Sequence, residues 1–404
     1  MTGAVLSRAR TTRTCALTEK GRALEPVAEV VIAWFHRWDP VPGEAAPEEG
    51  RTGTFVPGSP AGAVLPWEAE AMTMTPSPQA TQAADAAAVT DERLEELVRD
   101  ACAAPSMHNT QPWAYVFHRR SGVLELLADA ARTLPEEDSR RRALHIGCGA
   151  ALFNLRVSAA RAGLHAWVSP LPPATGGDVL AAVRLRAGEV EREAATLHPA
   201  VAERRTNREP YEETRIPGVI REQLGRAAAV ERARLVFPEG WHYRMVLDVL
   251  ADAEAGETTA HRAEEEAWLR AEEAAADGIP RTALGPRMRE GEAAVREFGE
   301  HPDGPWADFE REPQLALLLT QRDEPADWLA AGQALQRVLL TATRAGLSAA
   351  PVTRALEHPS LRWLLRDPSE GPGHVQMVLR MGYGPSVPLS TGRRTPDEVL
   401  TFRD

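Results

Sequence analysis

The chain has 404 residues, of which 43% are hydrophobic and 26% charged. That is globular composition, long enough for two or three units of roughly 100–200 residues, and it excludes collagen, coiled-coil rods and wholly disordered chains. The net charge of −12 argues against non-specific nucleic-acid binding, which needs basic patches. No run approaches ~18–20 uninterrupted apolar residues, so no membrane-spanning helix is expected. The three cysteines, Cys15, Cys102 and Cys148, are too few and too scattered for a disulfide framework or a zinc spacing. Arg8, Arg10 and Arg13 are not followed by an apolar signal core, so the expected location is the cytoplasm. Lys20 is the only lysine, so any anion site must be built from arginine and backbone N–H groups.

Residues 1–75 differ from the rest. Pro26, Pro40, Pro42, Pro47, Pro57, Pro60 and Pro66 interrupt them, and only Val27–Trp38 holds a short apolar run. They read as an unstructured extension, with Met72 and Met74 as alternative starts. From Thr90 the pattern sharpens. Thr90 is a polar N-cap, Asp91 and Glu92 are acidic first-turn residues, and Leu94, Leu97, Val98 and Ala101 follow at helical spacing. A polar loop from Ser106 to Pro112 leads into strands over Trp113–His118 and Val123–Leu127, joined near Ser121-Gly122. Arg142–Ala162 is a long apolar helix with Gly163 as its C-cap, and strands are expected over His165–Ser169 and Val179–Arg186.

The second half repeats this plan. Gly149-Ala150-Ala151-Leu152 and Arg161-Ala162-Gly163-Leu164 return, at one common interval, as Gly332-Gln333-Ala334-Leu335 and Arg344-Ala345-Gly346-Leu347. Each copy is a helix, a glycine cap and a strand, which favours a duplication over chance. Two copies are too few for a solenoid, so a fused pseudo-dimer is expected. Between them lies Glu254–Ala275, rich in Ala and Glu, and then the Pro/Gly hinges Asp277-Gly278-Ile279-Pro280 and Gly285-Pro286. This stretch reads as a surface helix and loop, either a solvated connector or a lid.

The chemistry concentrates in three strings. Ser106-Met107-His108-Asn109-Thr110-Gln111 sits between Pro105 and Pro112, which limit the loop's freedom. The carboxamides of Asn109 and Gln111 suit the donor and acceptor edge of a flavin. Arg204-Arg205-Thr206-Asn207-Arg208 and Gly392-Arg393-Arg394 are the natural anion sites, although each alone reads as readily as a solvated charge run. Other chemistries fit less well. No Gly-x-Ser-x-Gly elbow is present, His108 with Cys102 lacks further metal ligands, and Gly147-Cys148-Gly149 lacks the third glycine of a dinucleotide loop.

Together the strings Ala104–Trp113, Arg132–Leu164, Glu203–Tyr211, Gly346–Leu356 and Val378–Gly384 resemble the nitroreductase superfamily, specifically the fused two-lobe Acg-like FMN-binding proteins of actinobacteria. The resemblance covers residue 90 to the end. It implies an α+β fold, nitroreductase-like and duplicated in one chain, with two mixed, mostly antiparallel sheets flanked by helices as a pseudo-dimer. The implied lobes are 76–195 and 196–404, with a helical insert or lid near 254–312. FMN would lie between the lobes, one per chain, contacted by Ser106, His108, Asn109, Gln111, Arg204, Arg205, Thr206, Asn207 and Arg208. Ala350, Pro351 and Val352 match the turn that passes near the flavin N5. Val352 and Thr353 stand where ordinary nitroreductases often have Glu, which weakens a side-chain contact to N5 there. One of Arg393 and Arg394 matches a phosphate ligand.

The implied activity is FMN-dependent oxidoreduction, hydride or electron transfer through N5, with NAD(P)H as a candidate donor and a small molecule as acceptor. His108 is the candidate proton donor. A flavin-sequestering or redox-sensing protein with little turnover is the alternative. The expected assembly is a monomeric pseudo-dimer or a homodimer, with no nucleic-acid or membrane partner.

Overall fold

The first helix begins where its N-cap is satisfied. The Thr90 hydroxyl accepts from the Arg93 amide at 3.3 Å, and α1 (Asp91–Cys102) buries Leu94, Leu97, Val98 and Ala101. The computed structural model describes residues 89–404, apart from 174–177, 257, 271–274, 293–294, 297, 299–303, 368, 370–372 and 387–390. The extension expected over 1–75, with Val27–Trp38, Met72 and Met74, lies outside the described residues. All described residues belong to one unit, Ala61–Asp404.

After α1 come β1 (Trp113–His118), β2 (Val123–Ala128), α2 (Arg142–Arg161), β3 (Leu164–Pro170) and β4 (Val179–Ala187). The hairpin turn holds Gly122 at φ +65°, and Gly163 closes α2 at φ +79°, both left-handed positions that favour glycine. Two short helices, α3 (Arg192–Thr196) and α4 (His198–Glu203), lead to α5 (Gly218–Val230) and β5 (Arg234–Val236). The next segment holds α6 (Gly240–Ala255), α7 (Thr259–Ala267), β6 (Leu269–Arg270), β7 (Ile279–Pro280), β8 (Arg287–Glu290) and β9 (Trp306–Asp308). The chain continues through β10 (Gln314–Thr320), α8 (Pro325–Arg344), β11 (Ser348–Val352), α9 (Arg354–Glu357), α10 (Pro359–Leu364) and β12 (His374–Gly382). It closes with α11 (Pro396–Val399) and β13 (Leu400–Arg403). Of the described helices only α2 is long and apolar enough to cross a membrane, and it is 89% buried inside the fold.

The fold is α+β. One sheet runs β13-β1-β2-β4-β3, the other β11-β12-β10-β5. Every pairing in them is antiparallel except that of β13 with β1. The orders β1-β2-β4-β3 and β5-β10-β12-β11 are the same, and α2 precedes β3 and β4 as α8 precedes β11 and β12. The segment α6 to β9 therefore falls where the first half has only a hairpin turn.

Helices α2 and α8 cross at glycines. A Cβ on Gly149 would stand 2.2 Å from the Leu329 carbonyl, and one on Gly332 would stand 2.1 Å from that of Ile146. These are the glycines of the repeated motif. Each half has its own apolar core: Leu94, Trp113, Leu124 and Leu152 in the first, Leu224, Leu317, Val338 and Val378 in the second. The single surface helix expected over Glu254–Ala275 is instead broken: α6 ends at Ala255, and α7 stops at Ala267. Nor is α7 solvated throughout, since His261 and Glu265 are buried.

Candidate functional site

The loop between α1 and β1 is backbone-strained. His108, Asn109 and Gln111 have φ of 48°, 55° and 51°, three of the six non-glycine residues with positive φ among those described. Such clustering persists only where surrounding contacts hold it, and it is typical of sites. Ser106 Oγ accepts from the Gln111 amide at 2.9 Å and closes the loop. Asn109 Nδ2 donates to the carbonyls of Gly278 (2.9 Å) and Gly392 (3.1 Å). Gln111 Nε2 donates to the Ala276 carbonyl at 2.7 Å, and its Oε1 accepts from the Arg394 amide at 2.8 Å. The two carboxamides thus tie the loop to the insert and to the C-terminal segment.

The arginine segment is docked beside β11. Thr206 bridges Ala349, the Asn207 amide donates to the Ala349 carbonyl at 3.1 Å, and Asn207 Nδ2 donates to Ser348 Oγ at 2.8 Å. This places Arg204, Arg205, Thr206 and Arg208 along one basic cavity with Ser106, His108, Asn109 and Arg393. Among the described residues, none of these four arginines pairs with a carboxylate. Buried Nε atoms of Arg204 and Arg393 have no hydrogen-bond partner. Burial, reinforced by Arg393 and Arg205, pulls the Arg204 guanidinium down to about 9. Burial with Arg205 pulls Arg393 down to about 10, and burial with Arg296 does the same to Arg208. Cations crowded together in low dielectric call for an anion.

A second, more apolar cavity adjoins the first and shares Pro105, Ser106, His108, Thr206, Arg208 and Ile279 with it. Ala350 and Pro351 form part of its wall, and Val295, Arg296 and Phe298 of the insert also line it. Four expected contact residues, Gln111, Asn207, Val352 and Arg394, line neither cavity. They hold the loops that do. Arg394, for instance, reaches Asp129 at 3.3 Å and donates to the Glu398 carbonyl at 2.9 Å. Of the C-terminal pair, Arg393 is the one at the basic cavity.

Sequence reasoning missed the charged cluster beside His108. His108 Nε2 contacts Glu137 Oε2. Arg296 donates to Glu137 at 2.5 Å, Glu265 at 2.6 Å and Glu357 at 2.7 Å. Arg354 donates to Glu265 at 3.1 Å. His108, Glu137 and Glu265 bring three ligand atoms within 4.8 Å of one another, but Arg296 already serves both carboxylates as their cation. The insert is further stitched down by Glu264, which accepts from the Glu137 amide at 2.8 Å, and by Arg132 to Asp277 at 2.8 Å. Glu137 lies inside the Arg132–Leu164 string, but nothing in that string gives it a role, and no motif marks Arg296. Both sit in acidic or Arg/Glu-rich runs that look solvated.

No family model matches the chain. It is 30% identical over 341 residues to "Putative NAD(P)H nitroreductase acg" from Mycobacterium tuberculosis, covering 78% of this chain and 97% of that protein. It is equally identical over 331 residues to an uncharacterized protein of the same organism, covering 77% and 93%. Among solved structures, the FMN- and NADPH-dependent nitroreductase NfnB from a Sphigopyxis strain is 18% identical. It covers 52% of this chain and 99% of its own, with a TM-score of 0.34. The FMN-dependent NfnB from Mycobacterium smegmatis, solved with NADPH, is 15% identical with the same coverage and TM-score.

Proposed function

Since the chain belongs to the Acg family of nitroreductases, we propose that its adjoining cavities hold FMN and that it is an FMN-dependent oxidoreductase drawing electrons from NAD(P)H. The observation that carries this reading is the group of four arginines, Arg204 buried and Arg205, Arg208 and Arg393 half-buried, without carboxylate partners among the described residues, beside an apolar compartment. A phosphate dianion satisfies the first and a flat aromatic ring the second. Arg204, Arg205 and Arg393 hold the phosphate. Thr206 and Arg208 stand at the junction, where the Arg208 charge favours an electron-rich ring. Ser106, His108 and Asn109 line one wall, with Ala350 and Pro351 opposite. Gln111, Asn207, Val352 and Arg394 brace these walls from behind. When bound, FMN supplies hydride or electron transfer through its N5. Among the ionisable side chains at the cavities, which also include Glu137, Asp138 and Glu357, His108 is the one we assign to proton exchange.

The halves act as copies of one lobe, 76–195 and 196–404, in a single-chain pseudo-dimer with one FMN. The shared strand order and the reciprocal glycines at Gly149 and Gly332 support this. The insert near 254–312 is the lid. Its several bonds to the loop favour a second reading, FMN sequestration with little turnover. One experiment separates the two. The purified protein is expected to be yellow and to bleach when NADPH is added without oxygen. A yellow protein that stays oxidised supports sequestration, and a colourless one that takes up no FMN sinks both.

A further inference from the structure

His108 lines both cavities, yet its ring is 2% exposed and its Nε2 is spent on Glu137. What the ring can offer a ligand therefore depends on which nitrogen carries hydrogen. A carboxylate at Glu137 accepts from Nε2–H and leaves Nδ1 bare. A protonated Glu137 donates to Nε2, and Nδ1 then carries the hydrogen.

We propose that Glu137 is a positioning residue which fixes His108 as the Nε2–H tautomer, so that Nδ1 is left as an acceptor, and that Arg296 of the insert enforces this by holding Glu137 as a carboxylate. The geometry is specific. Glu137 is fully buried, its Oε2 meets His108, and its Oε1 receives Arg296 Nη2 at 2.5 Å with Arg354 Nη1 at 3.5 Å. Two guanidiniums on one carboxylate oxygen favour the ionised form. Burial pushes the Glu137 acid upward, and Arg296 and then Arg354 oppose it. Burial, with Arg296 beside it, pulls His108 down to about 3, so the ring is neutral and carries one hydrogen. The other charged and titratable groups around the cluster include Glu264, Glu265 and His261 on α7, Glu357 on α9, Glu254 on α6, His358 beside His261, and Arg208 beside Arg296.

Arg296 lies on the insert, while Glu137 and His108 lie in the first half. Withdrawing Arg296 leaves burial unopposed at Glu137. The Nε2 hydrogen then passes to Glu137 Oε2, and one solvent proton binds Nδ1. Nδ1 then turns from acceptor to donor. The engagement of Arg296 thus sets the hydrogen-bonding sense of His108. The use of that sense on a bound ring rests on the FMN reading. The tautomer does not.

The test is long-range 15N–1H correlation NMR of 15N-histidine-labelled protein with its FMN, with the His108 signal identified by its loss in His108→Asn. Wild type is expected to show hydrogen on Nε2 and a bare Nδ1 at neutral pH. Arg296→Lys keeps that pattern, and Arg296→Met moves the hydrogen to Nδ1. A wild-type His108 protonated at Nδ1, or one pattern shared by Arg296→Lys and Arg296→Met, overturns the proposal. Absence of bound FMN counts against the function proposed above, and a wrong tautomer with FMN bound counts against this inference alone.

Discussion

Two groups of arginines stand near His108, and they are used in opposite ways. Arg296 and Arg354 stand in carboxylates, with Glu137, Glu265 and Glu357 within 3.6 Å of one or both. Arg204, Arg205, Arg208 and Arg393 have no carboxylate partner among the described residues; burial and neighbouring cations depress three of them, Arg204 and Arg393 beside Arg205, and Arg208 beside Arg296. The same side chain is a fastener in one place and an open valence in the other. Pairing, more than residue type, marks where a ligand belongs.

That contrast can be broken experimentally. Arg296→Met strands Glu137, Glu265 and Glu357 in the interior and is expected to lower the unfolding free energy by about 3–5 kcal/mol in urea titrations. Arg204→Ala has the reverse profile. FMN affinity falls by about 1.5–3 kcal/mol for a lost charged hydrogen bond, whereas the apoprotein's urea midpoint stays the same or rises, because repulsion is relieved. An Arg204→Ala apoprotein that is strongly destabilised would erase the distinction.

Glu254 sharpens the comparison through pH. Burial, against Arg354, raises its carboxyl to about 7. The folded state therefore binds more protons than the unfolded one between the ordinary glutamate value and about 7. Stability should fall as pH rises through that window, by roughly 1–3 kcal/mol, and level off above it. Glu254→Gln should flatten the slope in pH-dependent melting. Least affected should be Arg215→Ala. Its partner Glu312 is 3.1 Å away, but the side chains are 79% and 64% exposed, and the melting temperature should not move measurably.

The first half was legible because its elements are locally determined. Thr90 caps its helix, Gly122 and Gly163 take the turns their residue type favours, and the strand ends match the expected ones to within a residue or two. The gathering of Arg204, Arg205, Arg208 and Arg393 on one cavity was foreshadowed because, with lysine nearly absent, the arginine clusters stood out. The roles of Asn109 and Gln111 were less so. Their side chains suit a ligand edge, but the structure spends them on backbone carbonyls of the insert and the C-terminal segment, partners more than 160 residues away. The cluster around Glu137 was invisible for a related reason. In sequence, Glu265 and Arg296 belong to runs of alternating charge that read as solvated, and only tertiary folding brings opposite signs together out of water.

The C-terminal strand β13 pairs with β1, and Arg393 stands just before it at the basic cavity. Residues 393–403 are made long after the loop and the other arginines that they complete. A nascent chain can fold much of both halves and still lack one wall of the cavity. The cavity proposed for the cofactor is therefore completed last, by the segment that carries Arg393.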